Sequence, residues 1–438
     1  MSRNGLHHTF AALYASALRR TRFASLVALA SLSLLAGTAS AATFIVDSFT
    51  DSISSACTAS PNDCSLRGAI LAANANPGDD VVLLGAGVYE LSIVGGDEDL
   101  GSTGDLDVLD GLVIRGAGPK KTFIDANGID RVLEVRAPGE RLTLRGVVLT
   151  GGNTSGIGGA VGASGLGVRV EAGALRLETC GVALNSSSVA GLGGRGGAIS
   201  DFMATASESI EIVDSFLFAN GSSSCAAIYS AAELLLERST VSGNTAESEF
   251  TICIHGAGST LLNSTVRGND TGISAFAAAV TVYAIQVTIA SCTLADNTNE
   301  ELNVPAWLYP KLANNVISGD CYVDGINSLG GNVESPGDTC ELGAGDLVNV
   351  ADLRLEAFAW TGGLAPVHRP LSDSPVVDLA LADANCPPLD QRHLARPRDG
   401  NGGGSHCDAG AVELAGEGEI FIETFEIGFT DAWSAVGP

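Results

Sequence analysis

The chain has 438 residues, a formal net charge of −27, 45% hydrophobic residues and only 5% aromatic ones. Such an acidic chain repels nucleic acid and anionic lipid, so these two classes of partner are excluded and cations or neutral partners are favoured. The length could hold two or three ordinary domains, but an elongated repeat protein would use it as one body.

Residues 1–41 predict a secretory signal peptide. Arg19, Arg20 and Arg22 precede an apolar run from Phe23 to Leu35, and Ala39–Ala41 has the small-residue pattern of a cleavage site. A single membrane anchor is the alternative, but the run is shorter than the roughly 20 residues that a span needs. We therefore expect a secreted monomer, extracellular or on the outer surface of a bacterium, with no transmembrane span in the mature chain.

Residues 42–95 are expected to form an N-terminal cap and the first coil of the fold. The residues Leu66, Ala69, Ile70 and Ala73 lie at helical spacing, and Ser65 is suited to cap the helix N-terminus. A lone amphipathic helix before a series of short strands is predicted to cover the open end of a solenoid, which would otherwise expose its core.

An acidic loop after the first coil is the best metal candidate. Its acidic residues are Asp97, Glu98, Asp99, Asp105, Asp107 and Asp110. Oxygen ligands at short spacing suit Ca²⁺, and we assign Asp97, Asp99, Asp105 and Asp107 as its expected ligands. The spacing does not match an EF-hand, and a solvated acidic loop is the alternative. No other cofactor is expected.

Residues 96–350 contain a repeat that is anchored on an asparagine. The anchors are Asn185, Asn220, Asn244, Asn269 and Asn297. Each has an apolar residue three positions earlier, a small residue five earlier and a second apolar residue eight earlier. Self-similarity at this period indicates a solenoid, and short alternating segments rich in Val, Ile, Thr and Ser favour a parallel β-helix over helical repeats.

The anchor column has two structural interpretations. Stacked asparagines can form a ladder of amide hydrogen bonds between coils. Alternatively, they can be turn residues that tolerate a left-handed conformation. Neither interpretation makes these asparagines catalytic.

Ten cysteines in an exported chain predict disulfides. The predicted bonds are Cys57–Cys64, Cys321–Cys340 and Cys386–Cys407. Cys180 and Cys292 share a repeat column but lie four coils apart, roughly 19 Å at the strand spacing, which is beyond disulfide reach. We predict that both are free and buried. Cys225 and Cys253 fall on adjacent coils, offset by about two residues, and the sequence leaves their pairing open.

Residues 351–414 are expected to form C-terminal coils and a cap, followed by a tail at 415–438. The charged residues of the cap are Asp390, Arg392, Arg396, Arg398 and Asp408. Ion pairs and the Cys386–Cys407 bond are predicted to hold it over the last coil. A site for an anionic ligand on these arginines is the alternative.

Motifs at both ends resemble one family. Cys64-Ser65-Leu66-Arg67, Ala69-Ile70 and Ala73-Asn74 are similar to the CSLREA motif, with Gly68 where that family usually has Glu. Segments that resemble those after the motif are Gly104–Asp107, Ile114–Gly118 and Ile124–Arg131. Closing segments that resemble those of such proteins are Asp390–Arg392, Arg396–Pro397 and Cys407–Glu413. The resemblance implies an exported right-handed parallel β-helix and no established activity.

Enzyme signatures are weak in the sequence. A glycoside hydrolase needs paired carboxylates, and Asp79-Asp80 lies on the first coil without the other residues of such a site. His255-Gly256 lacks a nearby carboxylate pair, and Arg238 and Arg267 lack an accompanying acidic trio for lyase chemistry.

The sequence thus favours an all-β, right-handed parallel β-helix that binds glycans or other surfaces through its loops without catalysis. The longest insertions, Gly156–Gly167 and Val189–Ser209, fall on consecutive coils and are expected to form one patch. A lyase or hydrolase acting on an acidic polysaccharide is the alternative, because fold does not decide function.

Overall fold

The computed structural model describes residues 40–96, 98–154, 164–186, 194–202, 204–305, 307–380, 386–400 and 406–414. Nearly all of the predicted signal peptide, Asp97, parts of both long insertions and the tail at 415–438 lie outside these residues. The chain divides into Met1–Ser40 and Ala41–Pro438, and the fold described below is that of the second unit.

Short strands stack in three parallel columns, which is the architecture of a right-handed parallel β-helix. The first column comprises β4 (Leu106–Val108), the first part of β7 (Leu133–Arg145) and of β9 (Val168–Glu178), β11 (Ile199–Ser200), β15 (Ile228–Ser230), β19 (Ile252–Ile254), β22 (Ala278–Val282), β25 (Glu300–Val304) and β28 (Cys321–Val323). The predicted fold class is confirmed.

The second column joins the first through the long strands β7 and β9. Besides their second parts it comprises β1 (Thr43–Ile45), β2 (Asp80–Leu83), β5 (Leu112–Arg115), β12 (Ala206–Val213), β16 (Glu233–Glu237), β20 (Thr260–Leu262), β23 (Thr288–Ala290), β26 (Lys311–Ala313) and β29 (Asn327–Ser328).

The third column forms a separate sheet of ten strands. They are β3 (Gly87–Glu90), β6 (Thr122–Asp125), β8 (Val148–Thr150), β10 (Gly181–Ala183), β13 (Phe216–Phe218), β17 (Thr240–Ser242), β21 (Thr265–Arg267), β24 (Thr293–Ala295), β27 (Val316–Ser318) and β30 (Val333–Ser335). A small additional pair, β14 (Gly221–Ser222) and β18 (Thr245–Ala246), follows two of them.

The register of the strands matches the repeat read from the sequence. Leu217 pairs with Val241 and Val241 with Val266 in the third column, and all three are fully buried. Leu236 pairs with Leu261 in the second column in the same way. Because each such side chain contributes about 1.5–3 kcal/mol when buried, the continuous stack of aliphatic residues is the main source of stability.

The predicted helix is α1, Leu66–Asn74, and its apolar side joins the core of the stack. Ser65 caps it by accepting a hydrogen bond from the N–H of Gly68 at 3.0 Å. The helix contacts β1, β2 and β4, the first strands of the second and first columns.

The anchor asparagines form a ladder of amide hydrogen bonds. Successive Nδ2-to-Oδ1 bonds join Asn185 to Asn220 (2.9 Å), Asn220 to Asn244 (3.0 Å), Asn244 to Asn269 (2.9 Å) and Asn269 to Asn297 (2.8 Å). The left-handed conformation belongs to the residue before each anchor: Leu184, Ala219, Gly243, Gly268 and Asp296. The ladder interpretation therefore describes this column, and the turn conformation lies one position earlier.

A second polar column lies between the second and third columns of strands. The Ser215 hydroxyl accepts the N–H of Cys180, and Ser239 and Ser264 repeat this bond on the next two coils, each at 3.1 Å. The serines at the small position of the repeat therefore accept backbone hydrogen bonds at this corner, in addition to being small enough to fit there.

All three predicted disulfides are present, and Cys225–Cys253 is a fourth. Cys253 is in register with Tyr229, four residues beyond Cys225, which is a larger offset than the predicted two. Cys225 has a left-handed backbone conformation, with a φ of 53°, and its Cα atom lies 5.6 Å from that of Cys253.

Cys180 and Cys292 are free and buried, as predicted. Burial raises the pKa of each thiol to about 12.

Neither of these two thiols should react with Ellman's reagent in the native protein. After denaturation without reductant, two thiols per chain should react. Denaturation with reductant, which should expose ten, is the control. Four reactive thiols in the unreduced, denatured protein would mean that one disulfide is missing.

The C-terminal segment lies along the side of the stack, which corrects its predicted place over the last coil. It covers the outer face of the third column, where the strands present Thr and Val. The hydrogen bonds that fix it join Thr240 to Pro366 (3.0 Å), Thr265 to Gln391 (2.6 Å) and Thr293 to Ala411 (3.0 Å). Val316 and Val333 extend this buried surface. Because these outward-facing Thr and Val residues carry no charge, the C-terminal segment can shield this side of the third column from water.

The arginines of this segment are used internally. Arg392 pairs with Asp390 at 2.9 Å, and both side chains are buried. Arg396 donates to the carbonyl oxygens of Asp408 (3.1 Å) and Gly410 (2.7 Å). These contacts fit the predicted structural role and leave neither guanidinium exposed to an anion.

Among the described residues, no helix has the length and apolar content needed to cross a membrane.

Candidate cation site and aromatic face

The structure brings two of the four predicted calcium ligands together. Asp105 and Asp107 are both buried, whereas the side chain of Asp99 is 57% exposed and pairs with Arg136 at 2.7 Å. The predicted ligand Asp97 lies outside the described residues. Asp99 is thereby removed from the predicted set, because its carboxylate is committed to an ion pair at the surface.

Glu134 completes the group in place of Asp99. Asp107 is the central residue of β4 and Glu134 its partner in β7, so the two side chains project side by side from the first column. One oxygen each from Asp105, Asp107 and Glu134 lies within 4.8 Å of the other two. The sequence held a signal for this pairing, since Leu106-Asp107-Val108 and Leu133-Glu134-Val135 share one pattern a coil apart.

Arg131 neutralises part of this cluster. Its guanidinium donates to Asp105 at 2.9 Å and to Glu134 at 2.9 Å, and Arg169 approaches Glu134 at 3.4 Å. Asp107 is fully buried, and within the described part of the chain neither of its carboxylate oxygens has a hydrogen-bond partner. Burial, and then the charges of Asp105 and Glu134, raise the pKa of Asp107 to about 8. Burial raises the pKa of Asp105 to about 6.

Residues of the N-terminal motif hold this cluster in place. Arg67, which is buried, donates to the carbonyl oxygens of Gly101 (2.9 Å), Gly104 (2.8 Å) and Asp105 (2.9 Å). Asn74, at the end of α1, donates to the Asp107 carbonyl at 2.8 Å. The strand that carries the carboxylates is therefore fixed to the helix by its backbone.

A second feature, at the other end of the stack, is a group of exposed aromatic rings, which we call the aromatic face. Its residues and exposed fractions are Phe276 (52%), Tyr283 (37%), Trp307 (78%), Tyr309 (55%) and Tyr322 (49%). Tyr322 lies in β28, Phe276 and Tyr283 flank β22, and Trp307 and Tyr309 lie in the turn between β25 and β26. The rings thus belong to the coils of β22, β25 and β28, three consecutive strands of the first column. Two strand spacings separate the outer strands, about 10 Å.

The rings of the aromatic face contact other rings or lie at turns. Phe276 and Tyr322 meet in a T-shaped contact with centroids 5.1 Å apart. Tyr283 stacks on His255, 4.6 Å away, and His255 in turn contacts Tyr229 at 4.8 Å. The first column thus carries two groups of contacting rings on its outside, one that runs from the buried Tyr229 to Tyr283 and one formed by Phe276 and Tyr322.

Three other residues that were considered as parts of an enzyme site, Asp80, Arg238 and Arg267, form hydrogen bonds or ion pairs within the fold. Asp80 is buried and accepts the N–H of Ala42 at 2.6 Å. Arg238 pairs with Asp214 at 2.8 Å. Arg267 pairs with Asp296 at 3.0 Å. None of these pairs belongs to the acidic cluster or the aromatic face.

The two long insertions are adjacent where the structure describes them. Gly165, in the first insertion, donates its N–H to the carbonyl of Gly196 in the second at 2.9 Å. The predicted binding patch itself includes residues 156–163 and 189–193, which lie outside the described residues, so it stays a prediction.

No protein-family model matches the chain, and no curated protein matches it in sequence. Among solved structures, the chain is similar to the crystal structure of pectate lyase Pel9A, with 13% sequence identity and a TM-score of 0.45. That similarity covers 87% of this chain and 98% of the lyase chain.

Proposed function

We propose that this chain is an exported β-helix protein that binds neutral glycans through the aromatic face. The main support is the concentration of five exposed rings on three consecutive coils of a chain with only 5% aromatic residues. An exposed apolar patch of this kind marks an interaction site on a soluble protein. The four disulfides support an oxidising compartment outside the cell.

The chemistry of the face favours sugars. Aromatic rings offer flat apolar surfaces for the C–H faces of a sugar ring, and the hydroxyls of Tyr283, Tyr309 and Tyr322 can exchange hydrogen bonds with sugar hydroxyls. Asp320 and Asp324 lie on either side of Tyr322 along the chain, and the whole chain has a formal charge of −27. Uronate-rich polysaccharides would be repelled, so neutral glycans are the class that fits.

Replacing Trp307 with alanine is expected to weaken glycan binding about tenfold, because the most exposed ring of the face would lose its stacking contact, worth about 1.4 kcal/mol. Binding would be measured by affinity electrophoresis and calorimetry on a panel of neutral and uronate polysaccharides. Trp360→Ala is the matched control, since Trp360 is 54% exposed and lies on the C-terminal segment beside Lys120. Failure of every neutral glycan to bind, or equal losses in both variants, would contradict the proposal.

Catalysis on the same face is the second candidate, with Glu300 as the residue in question. Glu300 begins β25, and its Oε2 atom is buried with no hydrogen-bond partner among the described residues. Burial, followed by the charge of Asp320, raises the pKa of Glu300. A raised pKa is the direction that general acid catalysis requires of a carboxyl group. New reducing ends from a bound glycan, abolished in Glu300→Gln without loss of binding, would establish hydrolysis. Unsaturated products would establish a lyase.

A further inference from the structure

We propose that Asp105, Asp107 and Glu134 bind one divalent cation, with Ca²⁺ preferred, and that this ion links the coil of β4 to the coil of β7. The site is separate from the aromatic face and does not depend on glycan binding. Its ligand set differs from the one predicted from the sequence, because Glu134 comes from the neighbouring coil and Asp99 is excluded.

The observation that points to an ion is the state of Asp107. Its side chain is fully buried, and neither carboxylate oxygen has a hydrogen-bond partner among the residues that the structure describes. A buried carboxylate is normally paired, hydrogen-bonded or bound to a metal, because removing it from water without compensation is costly. Arg131 donates to Asp105 and Glu134, and among the described residues it forms no hydrogen bond that would compensate the Asp107 carboxylate.

The arrangement of the oxygen atoms fits calcium. The three carboxylates offer oxygens that lie within 4.8 Å of one another. Ca²⁺ binds oxygen at about 2.3–2.6 Å, so two ligands on opposite sides of the ion can be about 5 Å apart. Mg²⁺ requires about 2.0–2.1 Å and near-octahedral geometry and usually keeps several waters, which makes Ca²⁺ the better match for a cluster of three buried carboxylates.

The charges around the cluster favour a cation as well. Burial and the neighbouring carboxylates Asp105, Glu134 and Glu98 act on Asp107, and the charge of Arg131 opposes them. Arg136 and Arg169 also approach Glu134, at 3.5 and 3.4 Å. Asp130 adds a further carboxylate beside Asp105. Acidic groups thus outnumber the guanidinium groups that face them.

The position of the ligands gives the ion a structural role. Asp107 lies in β4 and Glu134 in β7, which are adjacent strands of the first column. The backbone of Asp105 and Asp107 is held by Arg67 and Asn74 of the N-terminal motif. An ion here would therefore connect helix α1, the coil of β4 and the coil of β7, and binding would stabilise the folded state.

The test uses the full mature chain, stripped with chelator, in calorimetric titrations with CaCl₂ and MgCl₂ and in thermal melts with each. The expected result is one Ca²⁺ per chain, a melting temperature raised by a few degrees, and at least tenfold weaker Mg²⁺ binding. Absence of Ca²⁺ binding would overturn the site, and equal affinity for Mg²⁺ would overturn the preference.

Two variants separate this site from adventitious binding. Asp107→Asn keeps the shape of the side chain and removes its charge, so it should fold, melt near the metal-free wild type and lose the Ca²⁺ response. Asp99→Asn changes the exposed acidic residue of the same loop and should keep the full response. Stoichiometric binding in Asp107→Asn, or loss of it in Asp99→Asn, would show that the ion binds elsewhere in the loop.

Discussion

Replacing Arg67 with alanine should lower the free energy of unfolding by about 3–5 kcal/mol, the usual loss when one partner of a buried ion pair is removed. Arg67 is 1% exposed and makes two hydrogen bonds to Asp51, at 2.7 and 3.2 Å. It also satisfies the carbonyl oxygens of Gly101, Gly104 and Asp105. The variant would leave a buried carboxylate and three carbonyls without this donor.

The effect of this substitution should depend on pH. Burial raises the pKa of Asp51, but hydrogen bonds from Arg67 and from the backbone of Ser92 and Ile93 outweigh it, and the pKa is lowered overall. A lowered pKa in the folded state means that the stabilisation is present above the ordinary value, about 3.9, and is lost as the pH falls through the lowered one. The difference between wild type and Arg67→Ala should therefore narrow in acid.

Urea denaturation monitored by circular dichroism at pH 7 and pH 3 measures both effects. Arg354→Ala is the matched control, because Arg354 pairs with Asp373 at 2.6 Å on the surface, where an ion pair contributes little. Its denaturation midpoint should equal that of the wild type. An Arg67→Ala midpoint that also stays unchanged would mean that the N-terminal helix is not held to the first coil by this residue.

Replacing Asn244 with alanine should have an effect of similar size, about 3–5 kcal/mol, since each buried polar group left unsatisfied costs about 1–3 kcal/mol. The Asn244 oxygen accepts both the backbone N–H of Asn220 (2.9 Å) and its amide (3.0 Å). The Asn244 amide donates to Asn269 at 2.9 Å and to the Leu217 carbonyl at 3.1 Å. Alanine would interrupt the ladder in its middle and leave groups on both neighbouring coils without partners.

Thermal and urea denaturation would measure the loss, with Asn327→Ala as the control. Asn327 is an exposed residue of β29 and should tolerate alanine with little change. If Asn244→Ala melts together with Asn327→Ala, the amide ladder contributes no more to stability than a surface asparagine does.

The N-terminal motif illustrates how far a local pattern can be interpreted. The spacing of Leu66, Ala69 and Ile70 predicted the helix and its buried side correctly. Gly68 stands where the family with the CSLREA motif usually has Glu, so the sequence alone indicated only the loss of a charge. A Cβ atom there would lie 1.9 Å from the Ser54 carbonyl oxygen, so the position has no room for a side chain. That constraint comes from the segment that contains Ser54, and the helical pattern of the sequence does not predict where this segment lies.

The sequence by itself determined the fold class, the aligned aliphatic columns, the three short-range disulfides and the two free thiols. A repeat makes this possible, because a residue's place within the period determines its place in the stack and its distance from equivalent residues.

Tertiary structure decided which side chains meet at the candidate sites, although the shared pattern of Leu106–Val108 and Leu133–Val135 carried a signal for one of these contacts. Glu134 joins Asp107 across two coils, and the rings of the aromatic face come from separate turns around β22, β25 and β28. The C-terminal segment bonds to coils 126 residues earlier, as Asn263 does with Leu389. Turn conformations and the docking of a segment without repeats depend on side-chain packing between distant residues, and this packing has no period in the sequence.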